Sequence, residues 1–140
     1  MNYIAIDPGD NIGWATFDEQ GKFIAFGEIK GHDNFLDWLE EQEGCITFIV
    51  ESYRARPGAT NSWSRLPTIQ LIGAIKRIAK KKKIKVVEQD PSPALSIGLR
   101  FIKMHTTYRG KHVPDRVSAL AHGVYYLKIA GIQDDPLGVQ

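Results

Sequence analysis

The sequence is poor in cysteine, has no long apolar run, and carries almost no positive charge in its first third. Its 140 residues include one cysteine, Cys45, so no internal disulfide can form, and we expect this side chain to be a small buried hydrophobe in a cytoplasmic protein. No apolar stretch approaches the ~20 residues of a membrane-spanning helix. The N-terminus also lacks the basic start and apolar run of a signal peptide. We therefore expect no membrane partner.

The positive charge that the first third lacks is concentrated in the middle of the chain. Residues 1–51 carry two basic and eleven acidic side chains, whereas residues 52–116 carry fifteen basic and three acidic ones. A net charge of +2 therefore conceals a strongly basic segment. Such a concentration is typical of a surface that binds a polyanion. The alternative is a lysine-rich helix face that is merely solvated.

Hydrophobic patterning predicts a single α/β domain over residues 1–140, beginning with an antiparallel meander. Three consecutive segments joined by short turns predict its strands, at residues 2–7, 12–18 and 22–30. An amphipathic helix follows at residues 33–43 and should end at Gly44. The continuous apolar run of residues 45–51 is typical of a strand covered on both faces. Because a helix precedes it, this strand should pair in parallel.

The second half of the chain alternates helices and strands. Residues 67–83 predict a helix with an apolar stripe that consists of Leu71, Ile72, Ile75, Ile78 and Ala79. We expect this stripe to serve a dimer interface. The alternative is that the stripe is buried in the core of the chain itself. Residues 84–87 predict a strand and residues 92–103 a short helix. Pro114 should open the last helix as its first residue. The tail at residues 134–138 should be loosely held.

Acidic side chains stand where these elements end or begin. Asp7 and Glu51 end two buried strands that should be neighbours, and Asp115 lies in the first turn of the last helix, three residues after His112. Converging carboxylates repel one another unless a divalent cation lies between them, and hard oxygen ligands suit Mg²⁺ or Mn²⁺. Two such ions could activate a water and stabilise the leaving oxygen of a phosphodiester. The alternatives are that Asp7 belongs to an ordinary Asp-Pro-Gly turn and that Asp115 stabilises a helix start.

Basic and aromatic side chains supply a candidate nucleic-acid surface. Residues 52–66 mix arginines with Tyr53 and Trp63, which suits phosphate contact and base stacking, although Trp63 could instead enter the core. The lysine run 80–83 exceeds what a helix end requires. The candidate DNA-binding residues are Arg54, Arg56, Trp63, Arg65, Lys76, Arg77, Lys80, Lys81, Lys82, Lys83, Arg109 and Lys111.

Three of these segments resemble the motifs of RuvC-type Holliday junction resolvases, in the ribonuclease H-like superfamily. Residues 4–14, Ile-Ala-Ile-Asp-Pro-Gly-Asp-Asn-Ile-Gly-Trp, resemble the first motif, and residues 48–51, Phe-Ile-Val-Glu, the second. Residues 112–121, His-Val-Pro-Asp-Arg-Val-Ser-Ala-Leu-Ala, resemble the last. The short chain and the last motif look more like phage-encoded members. The resemblance implies a mixed five-stranded sheet, three strands antiparallel and the rest parallel, flanked by helices.

The same resemblance implies a site, a cofactor and partners. Asp7, Glu51 and Asp115 would hold two Mg²⁺ ions, which Mn²⁺ could replace, and His112 would be a further ligand or a proton shuttle. The substrate would be branched DNA, most directly a four-way junction, cut by a homodimer in a bacterial or phage-infected host cytoplasm to leave a 5′-phosphate and a 3′-hydroxyl. The alternatives are a RuvC-like nuclease that processes ribosomal RNA precursors and a non-catalytic nucleic-acid-binding module of the same fold.

Overall fold

The structure is a computed structural model that describes residues 1–9, 11–52, 66–106 and 113–138. Within these ranges its strands are β1 (Tyr3–Asp7), β2 (Asn11–Phe17), β3 (Phe23–Lys30), β4 (Thr47–Glu51) and β5 (Lys85–Gln89). Its helices are α1 (His32–Glu41), α2 (Leu66–Lys82), α3 (Pro91–His105) and α4 (Asp115–Ile129). None of the described helices has the length and hydrophobicity needed to cross a membrane.

The strands form one mixed sheet in the order β3-β2-β1-β4-β5. The meander β1–β2–β3 is antiparallel, as its short connections require. β4 pairs in parallel with β1, and β5 pairs in parallel with β4. This confirms the predicted fold class: three antiparallel strands followed by parallel strands, flanked by helices.

Alternating side chains of the central strands face two helical layers. Ile4 and Ile6 of β1 share a buried cluster with Phe48 of β4 and with the apolar residues of α1 and α2. Ala5 of β1 and Ile49 of β4 face the other way, into a cluster with α3 and α4. Because successive side chains of a strand point to opposite faces, these runs are buried on both sides, as their continuous hydrophobicity predicts.

The helix α4 lies against the centre of the sheet and is buried nearly all round. Every residue from Val117 to Val124 is buried, polar ones included. A side chain at Gly98 of α3 would collide with the backbone of Ala121, so its absence lets the two helices approach closely. The functional consequence is that any polar side chain on this stretch of α4 is enclosed between the helix and the sheet.

Several predicted boundaries are corrected by the structure. β5 runs to Gln89 rather than ending at residue 87, because residues 88 and 89 stay paired with β4. β4 begins at Thr47, two residues later than predicted, and α1 ends at Glu41, before Gly44. Pro114 precedes the first helical residue of α4, with an extended ψ of 152°, and is not itself that residue. Cys45 is only partly buried, and its thiol donates to the carbonyl of Asn2.

The apolar stripe of α2 is used entirely within this chain. All five of its residues are buried in the cluster that joins α2 to β1 and β4. The prediction that this stripe serves a dimer interface is therefore wrong, because burial in the core leaves none of it for a partner. The exposed positions of α2 from Gln70 onward are polar, basic or glycine, whereas Pro67 and Ile69 near its start are exposed apolar residues.

The C-terminal tail is held against the meander rather than loosely attached. The backbone N–H of Phe23 donates to the carbonyl of Pro136 at 2.9 Å, and Lys22 Nζ donates to the carbonyl of Asp135 at 2.8 Å. Leu137 packs against the cluster under α4. The prediction of a loose tail is wrong because composition alone does not reveal these long-range contacts.

We expect Leu137→Ala to lower the free energy of unfolding by about 1–2 kcal/mol, since a partly buried leucine is truncated at its contact with the core. Ile129→Ala removes a similar side chain that is 62% exposed, and should change stability by less than about 0.5 kcal/mol. Urea denaturation of both variants measures the difference. Equal, small effects would mean that the tail does not stabilise the fold.

Candidate functional site

Asp7 and Glu51 stand side by side where the two central parallel strands end. Asp7 follows Ile6 on β1, and Glu51 follows Val50 on β4, and Ile6 is paired with Val50. By the alternation of strand side chains, both carboxyls lie on the face that carries Ala5 and Ile49, which α4 covers. The predicted convergence of these two acids at one sheet edge is therefore what the topology produces.

The two carboxyl groups interact directly, and this changes the chemistry of Asp7. Burial raises the pKa of Asp7 to about 8, and the hydrogen bond to Glu51 and the charge of Glu51 act in the same direction. The hydroxyl of Ser118, on α4, donates to Asp7 and opposes the shift. Two carboxyls in contact cannot both ionise cheaply, so the pair holds a proton near neutral pH when no cation is bound.

Asp115 reaches the same edge because β2 lacks a side chain at Gly13. Gly13 pairs with Asp7 across the β1–β2 ladder. A Cβ at Gly13 would collide with the backbone carbonyl of Asp115, so the start of α4 lies directly on this glycine. The Asp115 carboxylate extends over the β1–β2 turn, with Oδ1 3.9 Å from where a Cβ on Gly9 would stand. The start of α4 therefore brings Asp115 to the same edge of the sheet as Asp7 and Glu51.

The next residue of α4 fastens the helix start to the edge of the sheet. Arg116 Nη1 lies 2.6 Å from Glu28 Oε2 on β3, and its guanidinium lies 5.8 Å from the centre of the Phe26 ring. The ion pair is partly exposed and so contributes at most about 1 kcal/mol. Together with the Gly13 contact, it fixes where Asp115 begins the helix.

Three further polar side chains belong to this site and were not predicted from the sequence. Ser118 and His122 follow Asp115 at spacings of three and seven residues, so the three share one side of α4. Gln89 of β5 is paired with Glu51 and contacts His122 at 3.2 Å. The available signal was the polar 115-118-122 spacing inside an otherwise apolar helix.

His122 is the most deeply buried ionisable group at the site. Its exposure is 0%, and its Nε2 lies 3.7 Å from Glu51 Oε1. Burial lowers the pKa of His122 to about 4, although the nearby Asp7 charge acts the other way. The ring is therefore neutral at neutral pH.

The donor set suits a divalent cation in its chemistry but is incomplete within the described residues. Asp7 and Glu51 are adjacent hard oxygen donors whose mutual repulsion a cation would relieve. However, the described ranges contain no group of three or more His, Cys, Asp or Glu side chains arranged to hold a metal ion. Asp115 thus lies at the same edge of the sheet as Asp7 and Glu51 but does not form one metal-binding group with them. His112 lies outside the described residues.

The described lysines at the end of α2 do not lie near the acids. α2 returns along the sheet from the end of β4 to the start of β5, so Lys80–Lys83 lie at the opposite end of the strands from Asp7. Lys82 donates to the carbonyls of Glu40 and Gln42 at the end of α1. The predicted DNA-binding residues outside the described part of the chain are Arg54, Arg56, Trp63, Arg65, Arg109 and Lys111.

Two other members of the predicted basic set lie on the exposed side of α2. Lys76 pairs with Glu88 of β5 at 2.6 Å, which offsets its charge locally. Arg77 is exposed. Lys80, Lys81 and Lys83 are likewise exposed, so the basic surface of the described structure is centred on the end of α2.

Comparisons with known proteins relate this architecture to one solved fold. The structure of Thermus thermophilus RuvC in complex with a Holliday junction substrate matches with a TM-score of 0.64 at 13% identity, over 93% of this chain and 96% of that one. A second structure of Thermus thermophilus RuvC matches with a TM-score of 0.60 at 15% identity, over 94% and 98%. No family model and no curated protein sequence matches. The resemblance read from the motifs is thus confirmed at the level of the ribonuclease H-like fold.

The pKa of Asp7 makes a stability prediction. Between about pH 4 and 8 the folded state holds a proton on Asp7 that the unfolded state has lost, so the free energy of unfolding falls as pH rises. His122, whose pKa is lowered to about 4, acts oppositely between pH 4 and 6.5. Above about pH 6.5 the His122 contribution is complete, whereas that of Asp7 continues to about pH 8. With chelator present, we expect stability to fall by up to about 2 kcal/mol between pH 6.5 and 8.

Asp7→Asn should abolish this decline and make the protein more stable than wild type at pH 8, measured by urea denaturation across the pH series. The matched control is Asp37→Asn, which neutralises an exposed acid on α1 and should retain the wild-type slope. An unchanged slope in Asp7→Asn would show that Asp7 is not the group responsible.

Proposed function

We propose that this chain is a metal-dependent, structure-specific endonuclease that cleaves branched DNA, with the four-way junction as its substrate. The observation that carries this proposal is the coupled Asp7–Glu51 carboxyl pair at the ends of two parallel strands, on a fold shared with RuvC over more than nine-tenths of the chain. A partly buried pair of interacting carboxyl groups weakens the fold unless a positive charge lies between them. This loss of stability has no structural benefit among the described contacts of the pair, and it is expected of a site that binds cations.

Asp7, Glu51 and Asp115 would hold Mg²⁺, with two ions per site and His112 as the fourth candidate ligand. When bound, such ions supply the positive charge that activates an attacking water and stabilises the leaving oxygen of a phosphodiester. The chain's own contribution is to hold the acids. Ser118 donates to Asp7 and so favours its ionised form, which is the form that binds a cation.

The products would carry a 5′-phosphate and a 3′-hydroxyl. A four-way junction has two-fold symmetry, so paired cuts require two sites, which a C2 homodimer supplies. The residues of the apolar stripe of α2 are committed to the core. The proposed dimer must therefore use another surface.

Cleavage of a synthetic four-way junction with Mg²⁺ tests the activity. We expect Asp7→Asn and Glu51→Gln to lower the cleavage rate at least about 100-fold, because each removes one charge of the pair on which the cation depends. Asp37→Asn serves as the control and should cleave like wild type. Junction binding, measured by gel shift in Ca²⁺, should persist in all variants.

The substrates compared with the junction decide between the alternatives. Three-way, flap and linear DNA and a structured RNA should be cut more slowly than the four-way junction. Faster cleavage of the RNA would favour an RNA-processing nuclease of the same fold. Binding without cleavage in either Mg²⁺ or Mn²⁺ would favour a non-catalytic module. Undiminished cleavage by Asp7→Asn would refute the assigned site.

The location of the lysine run predicts a separation of binding from chemistry. β4 spans about 13 Å, so lysines beyond its start can touch only DNA several base pairs from the cut. We expect the triple variant Lys80→Gln, Lys81→Gln, Lys83→Gln to weaken junction binding while leaving the cleavage rate at saturating enzyme within about twofold.

The salt dependence of binding gives a quantitative check of the same triple variant. The slope of log affinity against log salt should become shallower by roughly 0.9 for each lysine that contacts a phosphate. Lys76→Gln is the comparison, and should change the slope less because Glu88 already offsets its charge. A triple variant with the wild-type slope would place the DNA on another surface.

A further inference from the structure

A buried polar chain runs from β5 through α4 to the acidic pair. Gln89 on β5 contacts His122 on α4, and the far side of the His122 ring faces Glu51 on β4. His122 is completely buried, and its Nε2 finds no hydrogen-bond partner in the described ranges. An unpaired buried donor costs about 1–3 kcal/mol. The Nδ1 atom is paired with Gln89, so it is the unpaired Nε2 that requires an explanation.

The orientation of the Gln89 amide follows from its second contact. Gln89 Nε2 lies 3.0 Å from the backbone carbonyl of His122. A carbonyl can only accept, so the group facing it is the NH₂ and not the amide oxygen. The same NH₂ lies 3.2 Å from His122 Nδ1. Gln89 therefore donates both of its hydrogens to His122, one to the carbonyl and one to the ring.

This contact decides which ring nitrogen of His122 carries the proton. Since Nδ1 accepts from Gln89, it presents a lone pair, and the single proton of the neutral ring is on Nε2. That N–H is directed at Glu51, with 3.7 Å between Nε2 and Oε1. About 0.7 Å of movement by the carboxylate would bring the pair within hydrogen-bonding distance. The Glu51 side chain is 17% exposed, so its end has room to move toward the ring.

The same tautomer excludes His122 as a metal ligand. A ligating Nε2 needs a free lone pair, which would put the proton on Nδ1. An Nδ1–H would then face the NH₂ of Gln89, donor against donor. His122 therefore faces Glu51 with an N–H and not with a lone pair.

On the basis of the nuclease function proposed above, we propose that His122 is a positioning residue: its Nε2–H, fixed by Gln89, orients the Glu51 carboxylate beside Asp7 for cation binding. Groups behind the ligands of metal sites commonly act in this way, and their loss typically lowers metal affinity or activity 10- to 100-fold. The contacts from Gln89 through His122 to Glu51 span β5, α4 and β4. A residue of β5, which supplies no candidate ligand, therefore sets the position of the Glu51 carboxylate on β4.

The first test requires neither substrate nor metal. Long-range ¹H–¹⁵N NMR of the full chain at pH 7, with chelator, reports the protonation of each histidine ring. We expect His122 to show a protonated Nε2 and an unprotonated Nδ1. Gln89→Met removes the donor and should produce a mixture of tautomers for this ring alone. A protonated Nδ1, or a doubly protonated ring, in the wild-type protein would overturn the proposal.

The second test uses a matched pair of substitutions at His122. Asparagine can keep an acceptor near the Nδ1 position but has nothing at Nε2, whereas the longer glutamine can place an amide N–H there. We expect His122→Asn to weaken Mn²⁺ binding about tenfold, measured by calorimetry with Mn²⁺ alone, and to lower kcat without changing KM by more than about twofold. His122→Gln should recover most of both losses.

The pattern separates positioning from a purely structural role. If His122 only filled space, both variants would lose stability together and Mn²⁺ affinity would not follow the position of the N–H. Equal effects of asparagine and glutamine, or no effect of either, would refute positioning. Should wild type bind Mn²⁺ with this pattern yet cleave none of the DNA substrates, the nuclease assignment would fail while the role of His122 would stand.

Discussion

Like-charge repulsion between Asp7 and Glu51 is the constraint around which this structure is arranged. Two parallel strands in register necessarily bring the residues after Ile6 and Val50 to adjacent places on one face. Burial under α4 then removes the water that would screen them, and the pKa of Asp7 rises. A fold selected for stability alone would replace either acid, since a neutral side chain at the same place carries no such cost. The pair therefore places a destabilising charge interaction at the ends of the two central strands.

The helix α4, which covers the two acids, must approach them without disturbing the sheet. α4 reaches the acids because Gly13 leaves room for the backbone at Asp115, and it is held in that position by Arg116 and Glu28 at the sheet edge. The polar residues of α4 then fall opposite the strand ends, while its other sides remain apolar and pack on α3 and β2. The helix α4 therefore both covers the core and supplies side chains that contact the acids. For this reason its serine and histidine are buried along with its apolar residues.

The strand pattern made most of this arrangement predictable. Continuous apolar runs ending in acids identified β1 and β4, and the helix between them implied parallel pairing, which the structure confirms. Gln89 could not be identified in this way, because the sequence predicts a strand that ends at residue 87, whereas β5 continues through residues 88–89 beside Glu51. Ser118 and His122 could not be predicted as site residues for a related reason. In the sequence, a polar residue on a buried helix looks the same as one on the surface until its neighbours in space are known. Hydrophobic periodicity predicts which apolar residues form the core. The position of polar groups inside the core depends on contacts between distant parts of the chain, which periodicity does not reveal.

The distribution of charge bears on the size of the substrate. The acidic pair is at one end of the parallel strands, and the exposed lysines at the end of α2 are at the other, separated by at least the ~13 Å that β4 spans. A mononucleotide bound at the acids could not reach these lysines, and a lysine too distant to affect the reacting phosphate gains nothing from a small ligand. An extended polyanion satisfies both ends at once, since its repeating phosphates continue past the site. The long-range electrostatic attraction of such a surface acts on the substrate as a whole, before any phosphate reaches Asp7 and Glu51. For the nuclease proposed above, the separation of charge therefore favours a polymeric nucleic acid over a small phosphate ester as the substrate.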